Sequence, residues 1–228
     1  MPDSITESTE APSPPRSRKG ERTRVRLLEA AKHVFEEAGF LDARISDIAE
    51  RAGVSHGTFY TYFESKDEIF REVALEVEER LSAPLGEVIL LPSSRETPHE
   101  RIREAMRRHL ESYRDEARIM GVIEEVTRHD DRLAEARLER HRRDRQLVAD
   151  SIRQLQRHGL ADPRLDPPTA AAVLGSMTNR FPEMWLAQGM LECSFDHGVE
   201  QLTLIFINAL LLRDPGAAGQ GRTEEPQG

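Results

Sequence analysis

The reading of this chain turns on the stretch Ile45-Ser46-Asp47-Ile48-Ala49-Glu50-Arg51-Ala52-Gly53-Val54-Ser55-His56-Gly57-Thr58-Phe59-Tyr60-Thr61-Tyr62-Phe63. It has the pattern of two short helices joined by a tight turn. Ile45, Ile48 and Ala49 give the first helix an inner face, and the small Ala52 lets the second approach closely. Gly53 can take the positive φ that such a turn requires. Val54 plugs the turn, and Ser55 is a residue type that caps helix N-termini. At about 100° per residue, Phe59 and Phe63 share one face of the second helix and point to a core. Gly57, Thr58, Tyr60 and Thr61 look away from it and are mostly compact, which suits insertion into a major groove about 12 Å wide. His56 and Tyr62 flank that face within reach of phosphates. Lys66, close to the start of the next helix, is expected to grip another phosphate together with that helix's N-terminus. Helix-turn-helix shapes also occur as plain packing units, so the pattern alone leaves both readings open.

Outward from this motif almost everything reads helical, and no segment alternates strictly as a strand does. A first helix is expected over about 23–38, with Leu27, Leu28, Ala31, Val34, Phe35 and Ala38 as its apolar stripe and Gly39 as terminator. A fourth helix should open at Ser65, where Ser65 and Glu68 form a capping box, and stop near Ser82 before Pro84 and Gly86. A loop to Pro98 follows, then helices at about 98–114, 116–129, 131–158, 168–188 and 197–213. Pro182 should kink the penultimate one.

The 228 residues carry a formal net charge of −9, which argues against a nucleic-acid partner until its distribution is read. From Arg16 to Arg26 six basic residues stand against one acid, Glu21. The span Asp42–Lys66, by contrast, has Arg44, Arg51 and Lys66 against Asp42, Asp47, Glu50 and Glu64, a net −1. Much of the salt-dependent attraction to phosphates should then come from a basic arm that contains Arg18, Lys19 and Arg22 and follows the backbone or enters the minor groove. A second Arg-rich stretch, Arg137 to Arg145, reads as a solvated helix face laced by the i,i+4 pairs Glu139–Arg143 and Arg140–Asp144. A second nucleic-acid patch is the other reading of that stretch.

The run Phe35–Lys66 resembles the DNA-binding domain of TetR-type (tetracycline-repressor-type) regulators. The matching residues are Gly39-Phe40, Asp47-Ile48-Ala49, Ala52-Gly53-Val54-Ser55, Gly57-Thr58, Tyr60, Tyr62-Phe63 and Lys66. The resemblance covers roughly residues 20 to 75. It implies that His56, Gly57, Thr58, Tyr60, Thr61, Tyr62 and Lys66 contact DNA. One departure is Arg44, where the family usually has a capping Ser or Thr. A guanidinium cannot accept the orphan N–H bonds, so either Asp42 or Ser46 caps instead, or Arg44 reaches a phosphate.

The resemblance also organises the rest of the chain. The last helix is too widely apolar for one buried stripe, so Val199, Leu202, Ile205, Phe206, Ala209 and Leu210 are expected at a homodimer interface. Burial within the monomer is the other reading. In the family the last two helices of each subunit form a four-helix dimer bundle, and the middle helices enclose a small-molecule pocket. Met106, Leu110, Tyr113, Met120 and Ile123 are the candidate lining residues on the middle helices. Met177, Phe181 and Trp185 join them around the Pro182 kink. Met and aromatic residues at helical spacing also serve as plain core.

The expected fold class is all-α: an N-terminal three-helix helix-turn-helix DNA-binding domain plus a C-terminal helical ligand-binding and dimerisation domain. Residues 1–20 are expected to be disordered, basic from about 16, followed by the DNA-binding domain at 21–68. The ligand-binding and dimerisation domain should occupy 69–213, with a disordered tail at 214–228.

The expected function is that of a transcription regulator, most simply a repressor. It would be released from a near-palindromic double-stranded DNA operator by an apolar or amphipathic small molecule. The alternative is a DNA-binding regulator controlled by a protein partner or lacking a small ligand. An enzyme is not expected, because no H-E-x-x-H, P-loop or G-x-S-x-G occurs. No cofactor or metal is called for. Cys193 is the sole cysteine and reads as a small buried or half-buried side chain. No apolar run reaches the roughly 20 residues of a membrane span. With a polar, Pro-rich N-terminus, the expected location is cytoplasmic.

Overall fold

The computed structural model describes residues 18–88 and 97–212. Its helices are α1 (Arg18–Asp42), α2 (Ile45–Arg51), α3 (His56–Tyr62), α4 (Lys66–Val88), α5 (Pro98–Thr127), α6 (Asp131–Arg157), α7 (Pro167–Pro182) and α8 (Phe195–Leu210). A π-helical turn, Glu183–Ala187, follows α7. No strand occurs among the described residues, so the all-α expectation holds. None of these helices is long and apolar enough to cross a membrane. The chain divides into two compact units between Glu76 and Val77, inside α4 and eight residues beyond the expected boundary. The expected tails, apart from residues 18–20, and most of the expected loop before Pro98 lie outside the described residues.

Several boundaries differ from expectation for physical reasons. The helix α1 starts at Arg18, so Arg18 and Lys19 belong to a helix and not to a disordered tail, and Arg22, expected just before the first helix, lies within it. Gly39 does break it, with φ 73° and ψ 175°. The two expected helices around Asp115 are the single helix α5, since no Gly or Pro interrupts the stripe from Ile102 to Met120. Pro84 does not end α4, because a proline there removes only the bond to the carbonyl of Arg80. Pro182 ends α7 by a change of register: Gln188 N–H donates to the Glu183 carbonyl at 2.9 Å, closing a π turn.

In the first unit Leu27, Phe35, Ile48, Phe59, Phe63 and Phe70 are fully buried. Phe70 meets Phe35 and Phe40 edge-on, each with centroids 4.9 Å apart. In the second unit Met106, Leu110, Ile152, Leu174, Trp185, Val199 and Leu202 form a separate core.

Candidate nucleic-acid interface

The turn between α2 and α3 is built as its residues dictate. Gly53 takes φ +65°. Gly53 N–H donates to the Glu50 carbonyl at 3.0 Å and Val54 N–H to the Ala49 carbonyl at 2.9 Å. This pair of bonds is a Schellman closure of α2. Ser55 Oγ then accepts from Thr58 N–H at 3.2 Å and starts α3. Phe59 and Phe63, both fully buried, fix the rotation of α3 about its axis. That rotation leaves His56, Gly57, Tyr60 and Thr61 exposed. Tyr60 is 48% exposed and meets the His56 ring edge-on at 5.3 Å. Thr58 and Tyr62 are half-buried, and Thr58 Oγ1 is 2.8 Å from Ser55 Oγ, so its hydroxyl is part of the cap.

The expected phosphate contacts divide. Arg44 is exposed at the N-cap of α2 in extended backbone, and no side chain caps the helix there. Neither Asp42 nor Ser46 replaces the missing cap, since Ser46 Oγ donates to Asp47 Oδ1 at 3.0 Å. Lys66 is committed elsewhere. Its ammonium donates to the carbonyls of Phe40 (2.7 Å), Leu41 (3.0 Å) and Ala43 (2.9 Å) and lies over the Phe40 ring at 4.7 Å. All three of its hydrogens are thereby engaged, so the expected phosphate contact would compete with these carbonyls. Lys66 ties the loop after α1 to the start of α4. There Ser65 Oγ accepts from Glu68 N–H at 3.1 Å, while the Glu68 carboxylate accepts from Glu64 N–H, one residue earlier than a capping box requires.

The positive charge of the first unit is concentrated on α1. At about 100° per residue, Arg18, Arg22, Arg26 and Lys19 fall within an arc of roughly 100°, and all four are exposed. Arg26 reaches the turn, with Nη1 3.9 Å from where a Cβ on Gly53 would stand. Arg24 instead pairs with Glu72 and covers the Phe63 ring, and Arg51 pairs with Glu37 through two 2.8 Å bonds. Arg26 was not among the residues singled out for contact, although its i,i+4 spacing from Arg22 marks the same face.

Two cavities stand out among the described residues of the second unit. The smaller, about 90 Å³, is apolar and includes Met106, Ile102, Leu174 and Phe206 in its wall. The larger, about 480 Å³, is walled by Tyr113, Met120, Glu78, Glu124, Arg137 and Leu147 among others. Leu110, Ile123, Met177, Phe181 and Trp185, expected in a ligand pocket, line neither. Leu110 and Ile123 are fully buried core. Trp185 is sandwiched between Phe181 (5.4 Å) and Phe195 (5.9 Å). The Arg-rich stretch of α6 is a solvated face only in part: Arg142, Arg143 and Arg145 are exposed, whereas the other two arginines turn inward. Arg137 and Arg140 are 7% and 8% exposed and are held by Glu78 and Glu79 of α4. Of the expected i,i+4 pairs Arg140–Asp144 forms, at 3.8 Å, while Glu139 turns to Arg142. Cys193 is exposed, contrary to the buried reading.

Residues 27–73 match the model described as bacterial regulatory proteins, tetR family. The HTH-type transcriptional regulator YdgC of Bacillus subtilis is 40% identical over 79 residues, which is 35% of this chain and 40% of that one. The regulator UidR of Escherichia coli is 37% identical over 67 residues, 29% of this chain and 34% of its own length. The chain therefore aligns with less than half of either relative. Among solved structures, a TetR-family regulator of Mesorhizobium loti superposes with a TM-score of 0.70 at 22% identity, over 85% of this chain and 98% of that one. Salmonella enterica GusR gives 0.68 at 20% identity, over 86% and 98%. At such identities the likeness is one of fold.

Proposed function

From the match of residues 27–73 to the tetR-family model, we propose that the chain belongs to that family of bacterial regulatory proteins and is a dimeric transcription regulator. It acts as a repressor that a small molecule releases from a near-palindromic operator. The observation that carries the DNA-binding part is the outward face of α3. His56, Gly57, Tyr60 and Thr61 stand in solvent on a helix whose rotation is locked by two fully buried phenylalanines. A groove-reading helix needs such a face on a rigid support. Arg18, Lys19, Arg22 and Arg44 supply the phosphate contacts that set register without reading bases.

One such motif contacts few base pairs, so two copies related by a two-fold axis are required, with half-sites about 34–36 Å apart or a multiple of that. The release step draws support from the 480 Å³ cavity in the second unit, large enough for a drug-sized ligand. A ligand releases DNA only to the extent that it binds the released state more tightly than the bound one. Selection of the full chain against random duplexes, followed by footprinting, tests the reading. An enriched near-palindrome protected over two half-sites is the expected result, and a chain that enriches no sequence overturns it. Alanine at Tyr60 and Thr61 should relax specificity at one position per half-site, by about 1–3 kcal/mol each.

A further inference from the structure

The larger cavity of the second unit contains a charge that its own neighbours leave incompletely satisfied. Arg137, on α6, donates from Nε to Glu78 Oε1 at 2.5 Å and from Nη2 to Glu124 Oε1 at 2.6 Å. Its Nη1 donates to Thr127 Oγ1 at 2.7 Å. Two carboxylates thus share one guanidinium, a local surplus of one negative charge within a lining whose carboxylates (Glu78, Glu124, Asp144, Glu183) and arginines (Arg137, Arg140, Arg145, Arg180) are otherwise matched. The nearby Arg140 does not remove the surplus. It pairs with Glu79 and donates to Ser82 Oγ and to the backbone carbonyl of Glu78. Arg180 is engaged by Glu183 at 2.5 Å, and Arg145 is exposed and donates to the His141 carbonyl.

Glu78 Oε2 is the atom that matters. Glu78 is 6% exposed, it lines the cavity, and Oε2 has no hydrogen-bond partner among the described residues. A buried carboxylate oxygen left unpaired is costly and calls for a donor. Tyr113 also borders the cavity. Leu81, Leu85, Leu147 and Val148 give the same cavity an apolar wall.

We propose that this cavity binds small amphipathic monocations, with a primary ammonium head donating to Glu78 Oε2 and an alkyl or aryl body lying on Leu81, Leu85 and Val148. The proposal deepens the effector part of the regulator reading and rests on it for its biological role, while the binding itself does not depend on DNA. Chemically it selects against carboxylate ligands, which would bring a second anion against Glu78.

The test is calorimetry on the full chain, without DNA, using three ligands that share one body: 4-phenylbutylamine, 4-phenylbutanol and 4-phenylbutyrate. The amine should bind about ten-fold or more tighter than the alcohol, as expected for a charge-assisted bond replacing a neutral one. The carboxylate should bind weakest. Equal affinities, a preference for the carboxylate, or no binding by any of the three overturns the proposal. Glu78→Gln keeps an acceptor for Arg137 but turns an NH2 toward the ligand, so the amine's advantage over the alcohol should vanish. The wild-type series stands alone if that variant fails to fold. Adding the amine to the protein–operator complex separates the two ideas. An amine that binds but does not release DNA leaves the site standing and removes the effector role.

Discussion

His109 stands against a backbone carbonyl that a proline leaves without its helical partner. Proline at 182 has no N–H, so the Thr178 carbonyl four residues earlier loses its helical partner. The His109 Nε2 lies 3.0 Å from that carbonyl, and Nδ1 lies 2.8 Å from the Leu81 carbonyl, all within a buried setting. Lys66 works in the same way at the end of α1, where three carbonyls converge on its ammonium. Replacing it with Met should lower stability by about 1–3 kcal/mol through the lost charged hydrogen bonds, read as a shifted urea midpoint. Because these bonds occupy the ammonium, the slope of log affinity for DNA against log salt should hardly change. Arg22→Ala should do the reverse, leaving stability near wild type and flattening that slope by about one. Equal slopes for the two variants would contradict the assignment. Tyr113 carries a pH dependence. Burial pushes its phenol well above the usual value, and the charges of Glu183 and Glu124 push it further, while Arg137 and Arg180 oppose them. A raised folded pKa means a contribution fully present below the unfolded value of about 10 and lost as pH rises through the folded one. Tyr113→Phe should therefore flatten the alkaline loss of stability above about pH 10. It should also leave the 295 nm phenolate titration unchanged until the protein unfolds.

Between elements, the decisive contacts join residues far apart in sequence. Arg137 and Glu78 are 59 positions apart and both nearly fully buried. The burial of Arg137 disfavours its charge, but the hydrogen bond it donates to Glu124 and the charges of Glu78 and Glu124 more than compensate, and its pKa is raised. Removing one partner strands the other, so Arg137→Met should cost about 3–5 kcal/mol in urea unfolding. A Glu78→Leu change added to it should recover much of that loss. Gly198 poses a tighter constraint between α8 and the π turn: a Cβ there would stand 2.2 Å from Trp185 Cη2. Gly198→Ala gains helix propensity of about 1 kcal/mol against overpacking of about 1–3 kcal/mol, so a net loss is expected. Trp185 is the sole tryptophan, and its emission should shift as the ring is displaced. An unshifted spectrum with a raised melting point would show that the ring yields freely. The contrast with the helix-turn-helix is instructive. Ile45–Phe63 was legible because every signal in it is local: a glycine for positive φ, a serine for a cap, two phenylalanines one turn apart. The role of Lys66 depends on carbonyls 23 to 26 positions earlier, and that of Arg137 on carboxylates in other helices, which no periodicity encodes. The length of α5 has the opposite cause: no residue near Asp115 imposes a break, so the helix runs on.

At the scale of the molecule, α8 settles what a widely apolar helix can mean. Of the six residues expected at a dimer interface, Val199, Leu202 and Leu210 are buried in the chain's own core and Phe206 is partly buried against it. Those four are explained without a partner, so the outer face alone bears on assembly. That face retains Ile205 at 53% exposed, Leu204 at 41% and an exposed Ala209, with Leu211 at 52% just beyond. An apolar patch of this kind on a helix whose other side is already packed calls for a cover, and a second copy offers the same patch in return under two-fold symmetry. Ile205→Glu places a carboxylate on that face without touching the inner one. The chain should keep its helical circular dichroism yet sediment at monomer mass. Affinity for a two-half-site operator should fall steeply, toward that of one isolated half-site, because the linkage that made the second contact intramolecular is gone. Affinity for a single half-site should stay within about two-fold of wild type, as the α3 face is unaltered. A variant that still sediments as a dimer would place the interface elsewhere, and the exposed Val173 of α7 would then be the next residue to charge.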